Sequence, residues 1–474
     1  MSEQALDDYG VPALETPPGW LDFWDAQGTG RWPLPANGQQ ATLEMGVSAG
    51  FWDARRELAH IRQAAHARQR APLAVLHVVL ARVAASTSHT IELPAIVGAP
   101  VGLSYLTALL APPGTGKGSA SQIAAELLPL EDDVADLPSG SGEGIVEALF
   151  GWADDEDGKK QKVHRQVRHN AYVYIDEAQV LTELGGRSGA TLLPTLRTIF
   201  TSGPLGSANA SRDRHRIVPA GQYAYGVVVG FQPSTAGALL EDQDAGTPQR
   251  FTWVDATDPN IPADTPAWPG PLDWHPPDAS TLAEIEERGT YTRHILRVDP
   301  TIVHEIQVAD LARVRGKAHA DTLDAHRDLM RLKLAALLAL LEQRIDVNDD
   351  DWHLASQLLC ISDATRARLV THVATEAAAR EHATSERLAR RQVRAVERTH
   401  EWHIGETART IWRKVPTAGE ANVSEVRRKL SRTQRDLFED ALAHATSEDW
   451  LTEREEPGQG IPKRTLRRGP ENPR

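Results

Sequence analysis

Residues 109–121 read LLAPPGTGKGSAS, an apolar run that stops at two prolines, passes through Gly114, Thr115, Gly116 and Lys117, and continues into helix-compatible residues. A strand, a glycine-rich turn and a helix in that order cradle phosphate. Successive backbone N–H groups and the helix N-terminus converge on the anion, and the lysine reaches the β and γ phosphates. Pro113, Gly114, Thr115, Gly116, Lys117, Gly118 and Ser119 form the candidate nucleotide-binding set. The stretch departs from the GxxxxGK[ST] pattern twice: Ala111 stands for the first glycine, and Gly118 stands where a Ser or Thr hydroxyl normally helps to hold Mg2+. Ser119, the next residue, is the candidate to replace that hydroxyl, directly or through water. Alone, the loop also reads as an unrelated Gly/Pro turn.

About sixty residues later, YVYIDEA is an apolar strand that ends in Asp176 and Glu177. Hydrolysis of a nucleoside triphosphate needs one carboxylate for Mg2+ and one to orient or deprotonate water, which gives Asp176 the metal and Glu177 the catalytic role. The next strand ends in GFQPS, where Gln232 either senses the γ phosphate and aligns the water or caps the strand end. GTPQRFTWV then offers Arg250, read either as a finger acting across a subunit boundary or as a surface salt-bridge residue. Between Asp176 and Gln232 lies a long Gly-rich, basic segment. Its Arg212, Arg214, His215 and Arg216 suit a phosphate backbone in a central channel, with a solvated charge run as the alternative. PSGSGEGIVEAL is either a flexible turn or a second channel-facing loop.

Strands that alternate with helices such as SQIAAELL and LLPTLRTIF imply an α/β fold with a mainly parallel sheet and ligands at the carboxyl ends of its strands. Ahead of it, PPGWLDFWDAQGTGRWPLPANGQQ lacks helical period and reads as an extended arm, and the helices of 51–86 read as a collar. The terminal stretch orders as helix, helix, helix and a strand pair, as in a winged helix. It carries Arg427, Arg428, Lys429, Arg432 and Arg435, which suit DNA phosphates, although interleaved acids also suit a protein-binding winged helix.

The 474-residue chain exceeds the ~100–200 residues of one domain. Its formal charge of −14 argues against nucleic acid only if charge is spread evenly, and residues 380–474 hold 20 Lys and Arg against 16 Asp and Glu. A single cysteine, Cys360, leaves no internal disulfide framework and no Cys-rich zinc site. No run approaches the ~18 apolar residues of a membrane span, so the expectation is a soluble, cytoplasmic protein without a membrane partner. The histidines lack HxxxH and HExxH spacing.

In their order, APPGTGKG, GSGEGI, YIDEA, GFQPS and GTPQRF resemble the helicase-type ATPases of phages, plasmids and integrated elements. That group is often fused to a primase and is related to AAA+ or RecA-like motors. The resemblance runs from about Phe51 to the C-terminus. It implies ATP at the Lys117 loop, Mg2+ at Asp176, catalysis at Glu177, a sensor at Gln232 and a trans finger at Arg250. RDLMRLKLAALLALLEQRIDVNDDDWHLAS resembles the lid of ring helicases of the minichromosome maintenance type, in which an Arg reaches the γ phosphate; Arg327 and Arg331 are equal candidates. The implied layout is an N-terminal arm and helical collar (1–90), a P-loop ATPase core (91–300), a helical lid (301–378), and a connecting helix with a winged helix (379–474). The implied protein is a homo-oligomeric DNA helicase, a hexamer, in the replication of a mobile element, with a separate primase. A nucleotide-gated initiator or loader, or a non-hydrolysing structural ring, are the alternatives.

Overall fold

The computed structural model describes residue 47 and residues 50–137, 141–154, 162–176, 191–207, 216–233, 235–242, 245–278, 285–288, 291–316, 326–457 and 462–473. The N-terminal arm read from the sequence lies outside the described residues. The chain divides into two units, Met1–Ala374 and Thr375–Arg474.

In the first unit the order is α1 (Arg56–Ala67), α2 (Pro72–Ser86), β1 (Ile91–Leu93), β2 (Val101–Gly102), β3 (Tyr105–Leu110), α3 (Lys117–Leu127), β4 (Ala135–Leu137), α4 (Gly142–Glu147), β5 (Phe150–Asp154), β6 (Lys162–Gln166) and β7 (Asn170–Ile175). It continues with α5 (Leu192–Phe200), β8 (Leu205–Ser207), β9 (Arg216–Val218), β10 (Ala224–Phe231), α6 (Gly237–Glu241), β11 (Thr252–Asp255), β12 (Ile285–Arg288), β13 (Tyr291–Ile295), β14 (Arg297–Val298), α7 (Pro300–Val314), α8 (Arg327–Leu341), β15 (Asp346–Val347) and α9 (Asp349–Lys414), which runs on into the second unit.

The central sheet is five-stranded, in the order β11-β3-β10-β7-β4, and every pairing in it is parallel. Every residue of β3 and of β10 is buried, because both are interior strands covered on two faces, and such strands read as continuous apolar runs. This mixed α/β architecture is compatible with a P-loop NTPase fold. The topology places the site: β10 lies between β3 and β7, so the Lys117 loop, Gln232 and Asp176 leave three adjacent strands at one edge.

Helix α2 is mostly apolar and buried along nearly its whole length, His77 and Arg82 included. It starts at Pro72, whose missing N–H is one the first turn leaves unbonded anyway. A helix with no polar face needs cover on every side. Accordingly α2 shares one core with the sheet, and α8 joins the same core. Gly226 of β10 permits the approach, since a Cβ there would lie 1.9 Å from the carbonyl oxygen of Ala81. Asn170 closes the helix end, its Nδ2 donating to Ala85 O at 2.6 Å and Thr87 O at 2.7 Å.

The second unit takes the end of α9, then β16 (Ala421–Asn422), α10 (Val423–Arg428), α11 (Arg432–Asp436), α12 (Phe438–Ser447), β17 (Leu451–Glu456) and β18 (Lys463–Arg468). The strands form an antiparallel sheet ordered β16-β18-β17. They close a separate core around Ile411, Val426, Phe438, Leu442 and Leu466. Local signals set the helix starts: Asn422 accepts from Ser424 N, and Ser431 with Gln434 forms a capping box. Among the described residues, no helix is long and apolar enough to cross a membrane.

Candidate nucleotide-binding site

The loop after β3 turns at Gly114 (φ +73°) and Gly116 (φ +121°), conformations that a Cβ disfavours. Gly116 is the N-cap of α3, so the first amides of that helix face the same cavity as the loop. Thr115 Oγ1 donates to Pro112 O at 2.7 Å, and Lys117 Nζ donates to Ala111 O at 2.7 Å and Pro112 O at 3.1 Å. The lysine is thereby folded back on its own loop, with 9% of its surface exposed. An ammonium held on neutral carbonyls can exchange them for phosphate oxygens, which are stronger charged acceptors.

The cavity beside the loop measures about 390 Å3. Pro113, Gly114, Gly116, Lys117, Gly118 and Ser119 line it together with Asp176 and Gln232. The structure therefore brings the glycine-rich loop, the lysine, the metal-ligand candidate and the sensor candidate together. The carbonyl of Gln232 accepts from Thr235 N at 2.9 Å and Ala236 N at 3.2 Å, which starts the turn after β10 and leaves the side chain to the cavity. Glu177 lies outside the described residues.

Several contributors escaped sequence reading. Gln122 and Thr235 also line the cavity. Gly230 lets strand and loop close: a Cβ there would stand 2.7 Å from Asp176 O and 3.4 Å from Lys117 Cδ. Its signal was a lone glycine in the β-branched run GVVVGF, the mark of a close approach. Arg70, between α1 and α2, lies against the loop, its Cδ 3.1 Å from where a Gly116 Cβ would stand. Its Nε is buried without a hydrogen-bond partner. Tyr174 donates its hydroxyl to Asp176 Oδ1 at 2.9 Å. Burial first, then the Asp176 carboxylate, pushes the phenol's pKa well above its ordinary value.

Mg2+ is held through one or two carboxylates plus substrate phosphates rather than by an all-protein cage. Asp176 beside a phosphate loop fits that donor set. Among the described residues no group of three or more His, Cys, Asp and Glu side chains assembles that could hold a metal ion.

The remaining candidates lie elsewhere. Arg250 does not line the cavity. It is half-buried, donates to Gly246 O, and has its pKa lowered by burial and then by Arg197, which itself pairs with Asp242 at 2.7 Å. Nor does the structure bring Arg327 or Arg331 to the cavity lining. Arg327 pairs with Asp363 at 3.1 Å; Arg331 pairs with Glu305 at 2.7 Å and stacks 3.7 Å over the Trp352 ring. Both positions sit on a helix whose length is spent on core packing, so their guanidinium groups are taken up by α7 and α9. Arg212, Arg214 and His215 lie outside the described residues. Arg216 pairs with Glu147 at 2.5 Å and lies over Phe150. Arg427, Arg428, Lys429, Arg432 and Arg435 are all exposed on α10, α11 and the turn joining them.

No protein-family model and no curated protein matches the chain. Among solved structures it is similar to a full-length MCM homologue from Methanopyrus kandleri, with 12% identity and a TM-score of 0.35 over 70% of this chain. The match spans 63% of that homologue's length. The functional reading stands on the site itself.

Proposed function

We propose that this chain is an ATP-hydrolysing, DNA-translocating subunit of a homo-oligomeric ring, a hexamer, that unwinds DNA during replication of a mobile element and relies on a separate primase. The observation that carries the reading is the convergence of the glycine-rich loop, Lys117, Asp176 and Gln232 on one cavity at the carboxyl ends of adjacent parallel strands. The loop amides and Lys117 bind the phosphates of ATP. Asp176, with the phosphates, would hold Mg2+, which would supply positive charge to offset that developing on the transferred group. Glu177 orients and deprotonates the attacking water, and Gln232 reports the γ phosphate. Arg250 acts as the finger that completes a neighbour's site. Movement of the loop bearing Arg212, Arg214 and Arg216 carries one DNA strand. The second unit, read as a winged helix, holds duplex phosphates through the exposed basic residues of α10 and α11.

The test is Mg2+-dependent ATP hydrolysis with and without single-stranded DNA, followed by separation of a tailed duplex. Wild type should turn over ATP faster with DNA. Lys117→Ala and Glu177→Gln should each lose at least about 100-fold, the scale of a removed transition-state donor or base. ATP binding without turnover would favour the structural ring, a reading that rests on Gly118; DNA-stimulated turnover without strand separation would favour the nucleotide-gated loader.

A further inference from the structure

The absent hydroxyl at position 118 has a counterpart on the facing strand. Side chains of Tyr172, Tyr174 and Asp176 project from one face of the β7 register and its continuation, because strand positions alternate with period two. Tyr174 and Asp176 meet there, phenol donating to carboxylate at 2.9 Å. The nearest atom to a Cβ added at Gly118 is that same phenol oxygen, at 3.9 Å. A hydroxyl carried on such a Cβ would reach into the space beside the phenol and compete for one acceptor. Gly118 thus leaves room beside a hydroxyl delivered from β7. Ser119 also lines the cavity, but among the described residues Tyr174 is the side-chain hydroxyl bonded to Asp176.

We propose that Tyr174 is the positioning residue for the metal site, its hydroxyl replacing the one missing from the phosphate loop and holding the Asp176 carboxylate in register with Mg2+. The proposal rests on the nucleotide reading above. The bond occupies one lone pair of Oδ1 and leaves Oδ2 and the rest of the carboxylate for the ion. Tyr174 acts through Asp176 and does not itself bind the nucleotide. Gly118 and Tyr174 are then a matched pair, and a serine at 118 makes the phenol dispensable.

The experiment measures affinity for a fluorescent ATP analogue across an Mg2+ titration that begins in EDTA, on the full chain as wild type, Tyr174→Phe, Gly118→Ser and the double variant. Tyr174→Phe should bind the analogue in EDTA as wild type does. It should need roughly 10–100-fold more Mg2+ for the metal-dependent gain, the usual cost of an outer-sphere partner. Adding Gly118→Ser to Tyr174→Phe should restore most of that loss. An unchanged Mg2+ requirement in Tyr174→Phe, an equal loss in EDTA, or no rescue by the serine would each overturn the proposal while leaving nucleotide binding in place. A wild type that binds no analogue under any condition would overturn the nucleotide reading and this inference with it.

Discussion

Lys333 is fully buried on α8, its Nζ donating to Ser104 O at 2.8 Å and Phe200 O at 2.6 Å, 4.6 Å from the Phe200 ring centroid. Two carbonyls and an aromatic face favour the ammonium, but burial opposes it and pushes the pKa down to about 7. The unfolded chain keeps a value of about 10.4. Between those two values the unfolded state binds a proton that the folded state does not, so stability rises with pH. The contribution is complete above about 10.4 and lost as pH falls through 7. Denaturant melts of wild type and Lys333→Met at pH 7, 8 and 9 should show the wild-type advantage growing with pH, by at most about 1.4 kcal/mol per unit. A constant difference would mean that the carbonyls and ring keep the amine charged. At this scale the sequence disclosed the residues whose chemistry is local. Gly114, Gly116 and Lys117 were legible because a positive-φ turn and a phosphate lysine are properties of one short segment. Arg70, and the place of Tyr174 beside Gly118, were not, because each rests on a contact between residues distant in the chain, while the lone glycine at 230 marks a close approach without naming its partner.

Among elements, the pairing of α2 with β10 bears most on the site, because β10 carries Gln232 at its end and lies between β3 and β7. The closeness of helix and strand rests on Gly226. An alanine there would force backbone apart, since Ala81 O stands 1.9 Å from the added carbon. Overpacking of this kind typically costs about 1–3 kcal/mol and more where no flexible side chain can yield. Gly226→Ala should lower the melting temperature and weaken nucleotide binding together, as read by thermal unfolding with and without ATP. A variant with wild-type stability would show that α2 can shift without cost. The strands were legible as apolar runs bounded by turns, and so was their alternation with helices. The place of α2 was not, because helical period identifies a helix without saying which element covers it, and an apolar helix suits a collar as well as a core.

The described residues of the molecule gather into two hydrophobic clusters that share no residue, one around the parallel sheet and one around Ile411, Phe438 and Leu442. Residues 377–403 of α9, which belong to neither, are exposed throughout. A helix without tertiary cover is held by little beyond its own hydrogen bonds and pairs such as Glu376 with Arg380 at 2.8 Å. Such a segment transmits little cooperativity, so calorimetry of the full chain should resolve two transitions. The cavity lined by Lys117 and Asp176 belongs wholly to the first cluster's unit. ATP with Mg2+ should therefore raise one transition, by about 2.7 kcal/mol at a hundred times the dissociation constant. Leu442→Ala, which empties a side chain 2% exposed in the second cluster, should lower the other by about 2–5 kcal/mol. One transition moved by both perturbations would show that the units unfold as one body. The overall charge hid this division: a sum of −14 over the chain masks a C-terminal stretch with 20 basic residues against 16 acidic ones. Only the structure shows five of those basic residues exposed along α10, α11 and the turn joining them.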